Sequence, residues 1–243
     1  MVLHYNKAGG PAADVDGRKA INTGIDVDAL MMASFPNPDF YTLHSSYMDE
    51  QIANWASNEG NEHYNINDPE KAKEVLAEAG YADGLSFTFH VPNMDRFMTP
   101  ATVFQADMEK IGVDVEVEVV EATAYLDEAR DGKYPIYVLS NSQTATPDFI
   151  LNRVYHSKNA DGGDNFSNYR NDDVDAWLDE LGTTLDEEER QELLSKIQKQ
   201  IVDDLPNLFI DHEEHIYAVN NRVEGFTVMP TRMHKVYNVD IKE

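Results

Sequence analysis

The chain has 243 residues, 42% of them hydrophobic, which suffices for a substantial core in one large domain or two small ones. Forty-five acidic against 19 basic side chains give a net charge of −26, a surface that repels nucleic acid and anionic membranes and excludes both as partners. With no cysteine there is no disulfide, thiolate metal site or thiol nucleophile.

Such an acid excess suits molar salt, where the Debye length falls to about 3 Å and carboxylate self-repulsion fades. Adaptation to high salt predicts reversible loss of structure on dialysis to low salt. No stretch approaches the roughly 18 to 20 apolar residues that span a bilayer, so direct membrane insertion is not expected. The first residues, Met1 to Lys7, lack the basic flank and apolar run of a signal peptide.

In chain order, Val2 to Tyr5 reads as a short strand, and helices follow from Val15 to Thr23 and from Asp26 onward. Met31, Met32 and Trp177 fall at helical core spacing and are read as packing. The segment from Phe35 to Glu62 has two early prolines and little period, long for a structureless connection. Asp68 then caps a helix with Pro69 in its first turn and Gly80 at its end. Leu85 to Val91 alternates as a strand, and Thr99-Pro100 opens a helix that closes at Gly112. Val113 to Val120 alternates almost perfectly, a strand with one wet face. Ala122 to Arg130 is helical, Tyr134 to Leu139 a buried strand, and Thr146-Pro147-Asp148 opens the next helix. This βαβαβα order implies right-handed crossovers and a sheet with helices packed on it. Further on, Asn171 and Asp186 cap two helices, the second running from Glu187 to about Val202 and stopped by Pro206. Leu208 to Ile210, Ile216 to Val219 and Phe226 to Met229 read as strands.

His212-Glu213-Glu214-His215 lacks the spacing that brings two histidines to one helical face, so no metal is assigned. Asp161, Asp164 and Asn165 miss the calcium-loop spacing and read as a solvated acidic loop. No nucleotide, dinucleotide or serine-hydrolase motif occurs, and neither catalysis nor a cofactor is called for. In open α/β sheets ligands collect beyond the carboxyl ends of strands, which singles out Ser140, Asn141, Ser142, Gln143 and Thr144 after the Tyr134 strand. Tyr125, on the neighbouring helix, is a further candidate.

Several runs together resemble the dipeptide/oligopeptide solute-binding proteins of ABC importers. Asp14 to Asn22 with Gly24-Ile25-Asp26 is similar to that family's V-R-x-A-I-x-x-A-I-D signature. Asp68 to Lys73 with Leu76 to Tyr81 is close to its most recognisable run. Asn168-Tyr169-Arg170-Asn171 with Val174-Asp175, Asp186 to Arg190 leading to Asp204-Leu205-Pro206, and Val223 to Phe226 follow in the family's order. The resemblance implies an α/β fold: the second lobe of a two-lobed, type II periplasmic-binding-protein-like molecule, a mixed sheet flanked by helices. Residues 1–12 would be a hinge crossing from a missing first lobe, 13–216 the ligand-binding lobe, and 217–243 a second crossing and returning tail. It further implies a non-enzymatic, extracytoplasmic, substrate-binding component that closes about a hinge on a peptide or small organic solute. That component would present the closed form to permease subunits. A ligand-sensing receptor on the same lobe is the alternative, and a hydrolase a remoter one. Peptide binders of the family carry W-x-x-D-x-x-x-P at the loop, the aspartate holding the peptide's ammonium group. Alignment on Pro147 places Ser140 at the tryptophan and Gln143 at the aspartate. A neutral amide holds an ammonium about half as strongly as a carboxylate, so either the ligand carries no free amino terminus or the missing lobe meets its charge.

Overall fold

The structure is a computed structural model that describes residues 1–7, 11–45, 64–140, 147–214, 216–229 and 234–242. Its frame is a five-stranded sheet in the order β4-β3-β5-β1-β6. These strands are β1 (Val2–Tyr5), β3 (Leu85–Pro92), β4 (Val113–Val120), β5 (Ile136–Leu139) and β6 (Asn207–Phe209). β3 runs parallel to β4 and β5, whereas β1 is antiparallel to both β5 and β6. The sheet is therefore mixed. A separate two-stranded ladder pairs β2 (Tyr41–Leu43) with β7 (Asp211–Glu213).

Alternation along the strands writes both faces of the sheet. Leu3, Tyr5, Phe87, Phe89, Ile136, Val138 and Leu208 point into one core. Over them lie α1 (Val15–Gly24), α2 (Val27–Ser34), α3 (Pro69–Glu78) and α4 (Asp95–Lys110). Val2, Tyr137 and Phe209 point the other way, under α5 (Ala122–Arg130), α6 (Pro147–Tyr155), α7 (Asp172–Leu181) and α8 (Glu187–Asp204).

Asp68, Asn171 and Asp186 cap their helices as read, whereas Thr146 lies outside the described residues. The carboxylates of Asp14, Asp26, Asp68 and Asp186 and the amide oxygen of Asn171 each accept from backbone N–H groups of the first turn. Gly80 and Gly112 follow α3 and α4 at φ +88° and +80°, a region open to glycine without the Cβ penalty.

Other expectations are corrected. α4 begins at Asp95, a full turn before Thr99-Pro100, with Pro100 inside the helix. Pro100 leaves the Arg96 carbonyl without its helical partner, a loss tolerable near a helix start where the ladder is only beginning. The strand β2 is missed because three residues inside the irregular segment from Phe35 carry too little period, and residues 46–62 of that segment lie outside the described residues. Ile216 to Val219 and Phe226 to Met229 are not strands. β8 (Val223–Glu224) and β9 (Asp240–Ile241) pair instead, and Ile216, Val219, Val228 and Ile241 are exposed. Met31 is buried as read, but Met32 is 70% exposed. Asp164 is no solvated loop acid, since Arg130 and Arg153 grip it at 3.0 and 2.6 Å. Those two guanidiniums, Arg153 foremost, hold its carboxyl below the usual range. Val2–Tyr5 is a strand as read, and it lies in the interior of the sheet.

Candidate functional site

The carboxyl ends of β3, β5 and β6 lie at one edge of the sheet, with the start of β1. Three elements bring polar side chains together there. Arg96 comes from the first turn of α4, Ser140 follows β5, and Glu213 ends β7. The Arg96 Nη1 donates to Glu213 Oε2 at 2.9 Å and its Nη2 to Ser140 Oγ at 2.8 Å. Ser140 Oγ in turn donates to Glu213 Oε1 at 3.0 Å, closing a ring of three. The guanidinium lies over the Phe97 ring at 4.5 Å, and its Nε is buried without a partner.

Electrostatics at this edge follow from partial burial. Burial pushes the Glu213 carboxyl up, but the Met1 amino group and the Arg96 guanidinium outweigh it and hold the group below its ordinary range. Asp211, deeper, goes the opposite way: burial raises it despite the Met1 amino group at its Oδ1. Its other oxygen, Oδ2, is buried and unpartnered. The edge can offer guanidinium and hydroxyl donors and a carboxylate acceptor, the inventory of a recognition surface.

Of the residues singled out in the sequence, Ser140 is at this edge and exposed. Asn141, Ser142, Gln143 and Thr144 lie outside the described residues. Tyr125 is a correction: it is 3% exposed and belongs to the core under α5. Its hydroxyl sits 2.8 Å from the His90 carbonyl and 2.9 Å from that of Val138, and accepts from the Val138 N–H at 3.1 Å. A tyrosine so engaged ties α5 to β3 and β5 and has no group left to offer.

Arg96 was missed because the helix was started at Pro100, which left it in an anonymous turn. The usable signal was a lone basic residue just after a strand end in a chain poor in bases. Glu213 was weighed only as part of a metal motif. Among the described residues no group of three or more His, Asp or Glu is arranged to hold a metal ion.

The family-like signatures meet at the opposite end of the sheet. Tyr169 Oη and Asn171 Nδ2 donate to Asp204 Oδ2 at 2.6 and 3.0 Å. The buried Arg18 donates to the carbonyls of Ala12 and Asp204, both at 2.6 Å. Asn168 Nδ2 donates to Asn6 Oδ1 at 3.1 Å. These motifs form a structural knot away from the candidate site.

A mixed sheet covered on both faces by helices, with a charge-paired polar edge beyond the carboxyl ends of its strands, defines an α/β lobe. The model for bacterial extracellular solute-binding proteins, family 5 (middle), matches residues 1–162. The chain belongs to that family. The dipeptide-binding protein of Escherichia coli strain K12 is 27% identical over 99% of this chain and 45% of its own length. Heme-binding protein A of Haemophilus influenzae is 27% identical over 98% and 44%. Among solved structures, a periplasmic binding protein DppA from Helicobacter pylori, in complex with peptide STSA, superposes with a TM-score of 0.83. It is 25% identical over 99% of this chain and 46% of that one. A dipeptide-binding protein from Pseudoalteromonas sp. SM9913, in complex with Met-Leu, gives 0.86 at 23% identity, over 99% and 48%. The chain thus spans about half the length of the relatives it matches.

Proposed function

We propose that this lobe forms one wall of the ligand cleft in the substrate-binding component of an ABC importer, taking peptides or a related small organic solute. The observation that carries this is the recognition edge itself. Arg96, Ser140 and Glu213 meet beyond the carboxyl ends of the strands, and Ser140 leads directly into the polar run Asn141 to Thr144. Binding calls for converging donors and acceptors without a nucleophile–base pair, so the role is that of a binder and not an enzyme. A second lobe supplies the other wall, reached through residues 1–12 and 217–225, and closure about that hinge traps the solute for the permease outside the cytoplasm. Support comes from the family match and from the full coverage of this chain by one part of the two-lobed relatives.

Gln143 tests the assignment of the loop. In the two-lobed protein, Gln143→Asp should strengthen binding of peptides with a free amino terminus about tenfold over their N-acetyl forms, a charge-assisted bond replacing a neutral one. Calorimetry that finds the same preference in both proteins would contradict a ligand-facing loop.

A further inference from the structure

The sequence HEEH was set aside as a failed metal motif, yet its first glutamate is the acidic member of the recognition edge. We infer that Glu213 sets the charge preference of this wall, as an internal carboxylate seated on the Arg96 guanidinium where an anionic ligand group would otherwise bind. The inference rests on the reading that this edge faces the solute, and it narrows the solute's chemistry. The end that meets this wall is uncharged, an amide, ester or hydroxyl, and not a free carboxylate.

The geometry of the ring supports this. A guanidinium pairs best with a carboxylate through two parallel N–H bonds. Here Arg96 reaches only Glu213 Oε2 directly, and Ser140 bridges to Oε1. Glu213, which also lies 4.0 Å from the Met1 amino group, therefore offsets the cation without filling its fork. The half-buried guanidinium keeps N–H donors for a carbonyl or amide oxygen of a ligand. A ligand carboxylate would instead approach a site already holding one, and like charges at such a distance repel.

A purely structural bridge is the poorer account. The backbone of β7 is already fixed by its ladder with β2, through Tyr41↔Glu213, Thr42↔His212 and Leu43↔Asp211. Ser140, Arg96 and Glu213 also come from three separate elements that share only this edge.

The test uses two probes, N-acetyl-alanyl-alanine and its C-terminal amide, titrated in molar salt against the two-lobed protein and followed by calorimetry. The native protein should favour the amide probe. Glu213→Gln should shift the carboxylate-to-amide affinity ratio toward the carboxylate by about tenfold. Glu213→Asp should keep the native ratio. Ser140→Ala, which leaves the charge and frees one carboxylate oxygen, should move it the opposite way, further toward the amide, by about threefold, and it stands in if Glu213→Gln does not fold. An unchanged ratio in folded Glu213→Gln and Ser140→Ala proteins overturns the inference. Failure of the two-lobed protein to bind any peptide would instead sink the importer reading.

Discussion

Arg18 places a guanidinium in the interior at 1% exposure and uses it as a staple. One fork arm holds the turn at Ala12, the other the last carbonyl of α8, a helix end whose partial negative charge suits a cation. This is the physical content of an arginine in the family signature, and the motif told of it without telling where its partners lie. Arg18→Met should lower stability by about 3 kcal/mol, because two buried carbonyls lose their donors. Arg18→Lys should recover only part of that, a single ammonium being unable to reach both. Denaturant titration in molar salt checks both values. His4 shows the opposite economy. Ser167 Oγ gives its proton to the Pro206 carbonyl at 2.8 Å, so the His4 Nδ1 at 3.3 Å is the donor and its Nε2 is left bare and buried. Burial, with the Met1 amino group adding to it, pushes the imidazole down from 6.5 to about 3. A group depressed on folding contributes stability in full above its unfolded value and loses it as pH falls toward the folded one. Between pH 6.5 and about 4, His4→Asn should therefore flatten the acid loss of stability, by at most about 1.4 kcal/mol per pH unit. Equal slopes for the two proteins would contradict a neutral buried imidazole.

At the scale of elements, caps and periods carried most of the fold, since Asp68, Asn171 and Asp186 each announce a helix by a side-chain bond that the structure makes. α4 was misplaced for the converse reason. Met94 sits at its N-cap in extended conformation with no side-chain bond to the first turn, so nothing in the sequence marks the start. The same missing cap hid Arg96. Met94→Ser should stabilise the protein by about 1 kcal/mol through the absent capping bond, seen as a rise in the denaturation midpoint. A fall would mean that Met94, already 44% exposed, contributes more by contact than a cap can. The candidate edge was half legible: the strand-end rule singled out Ser140, which the structure sets beside Arg96, whereas Glu213 needed the β2–β7 ladder, which three-residue strands do not announce. Tyr125 was misread because proximity in sequence to the loop says nothing about which way a helix turns its face.

At the scale of the whole chain, the tail after Glu214 is written in alternating apolar residues, yet Ile216, Val219, Val236, Tyr237 and Ile241 stand exposed on it. Their pattern reads as strand in sequence, but a strand needs a sheet to join, and the lobe's sheet already ends at β4 and β6. The proposed first lobe would offer these residues a surface to pack on and the edge at Arg96, Ser140 and Glu213 its second wall. An open wall buries only part of a ligand, and affinity falls with it. Calorimetry in molar salt with a panel of di- and tripeptides, run on this chain alone and on the two-lobed protein, tests that account most directly. We predict micromolar or tighter binding, a Kd of about 10⁻⁶ M or less, by the two-lobed protein and none tighter than about 10⁻³ M by this chain. Binding by this chain alone as tight as that of the two-lobed protein would contradict it.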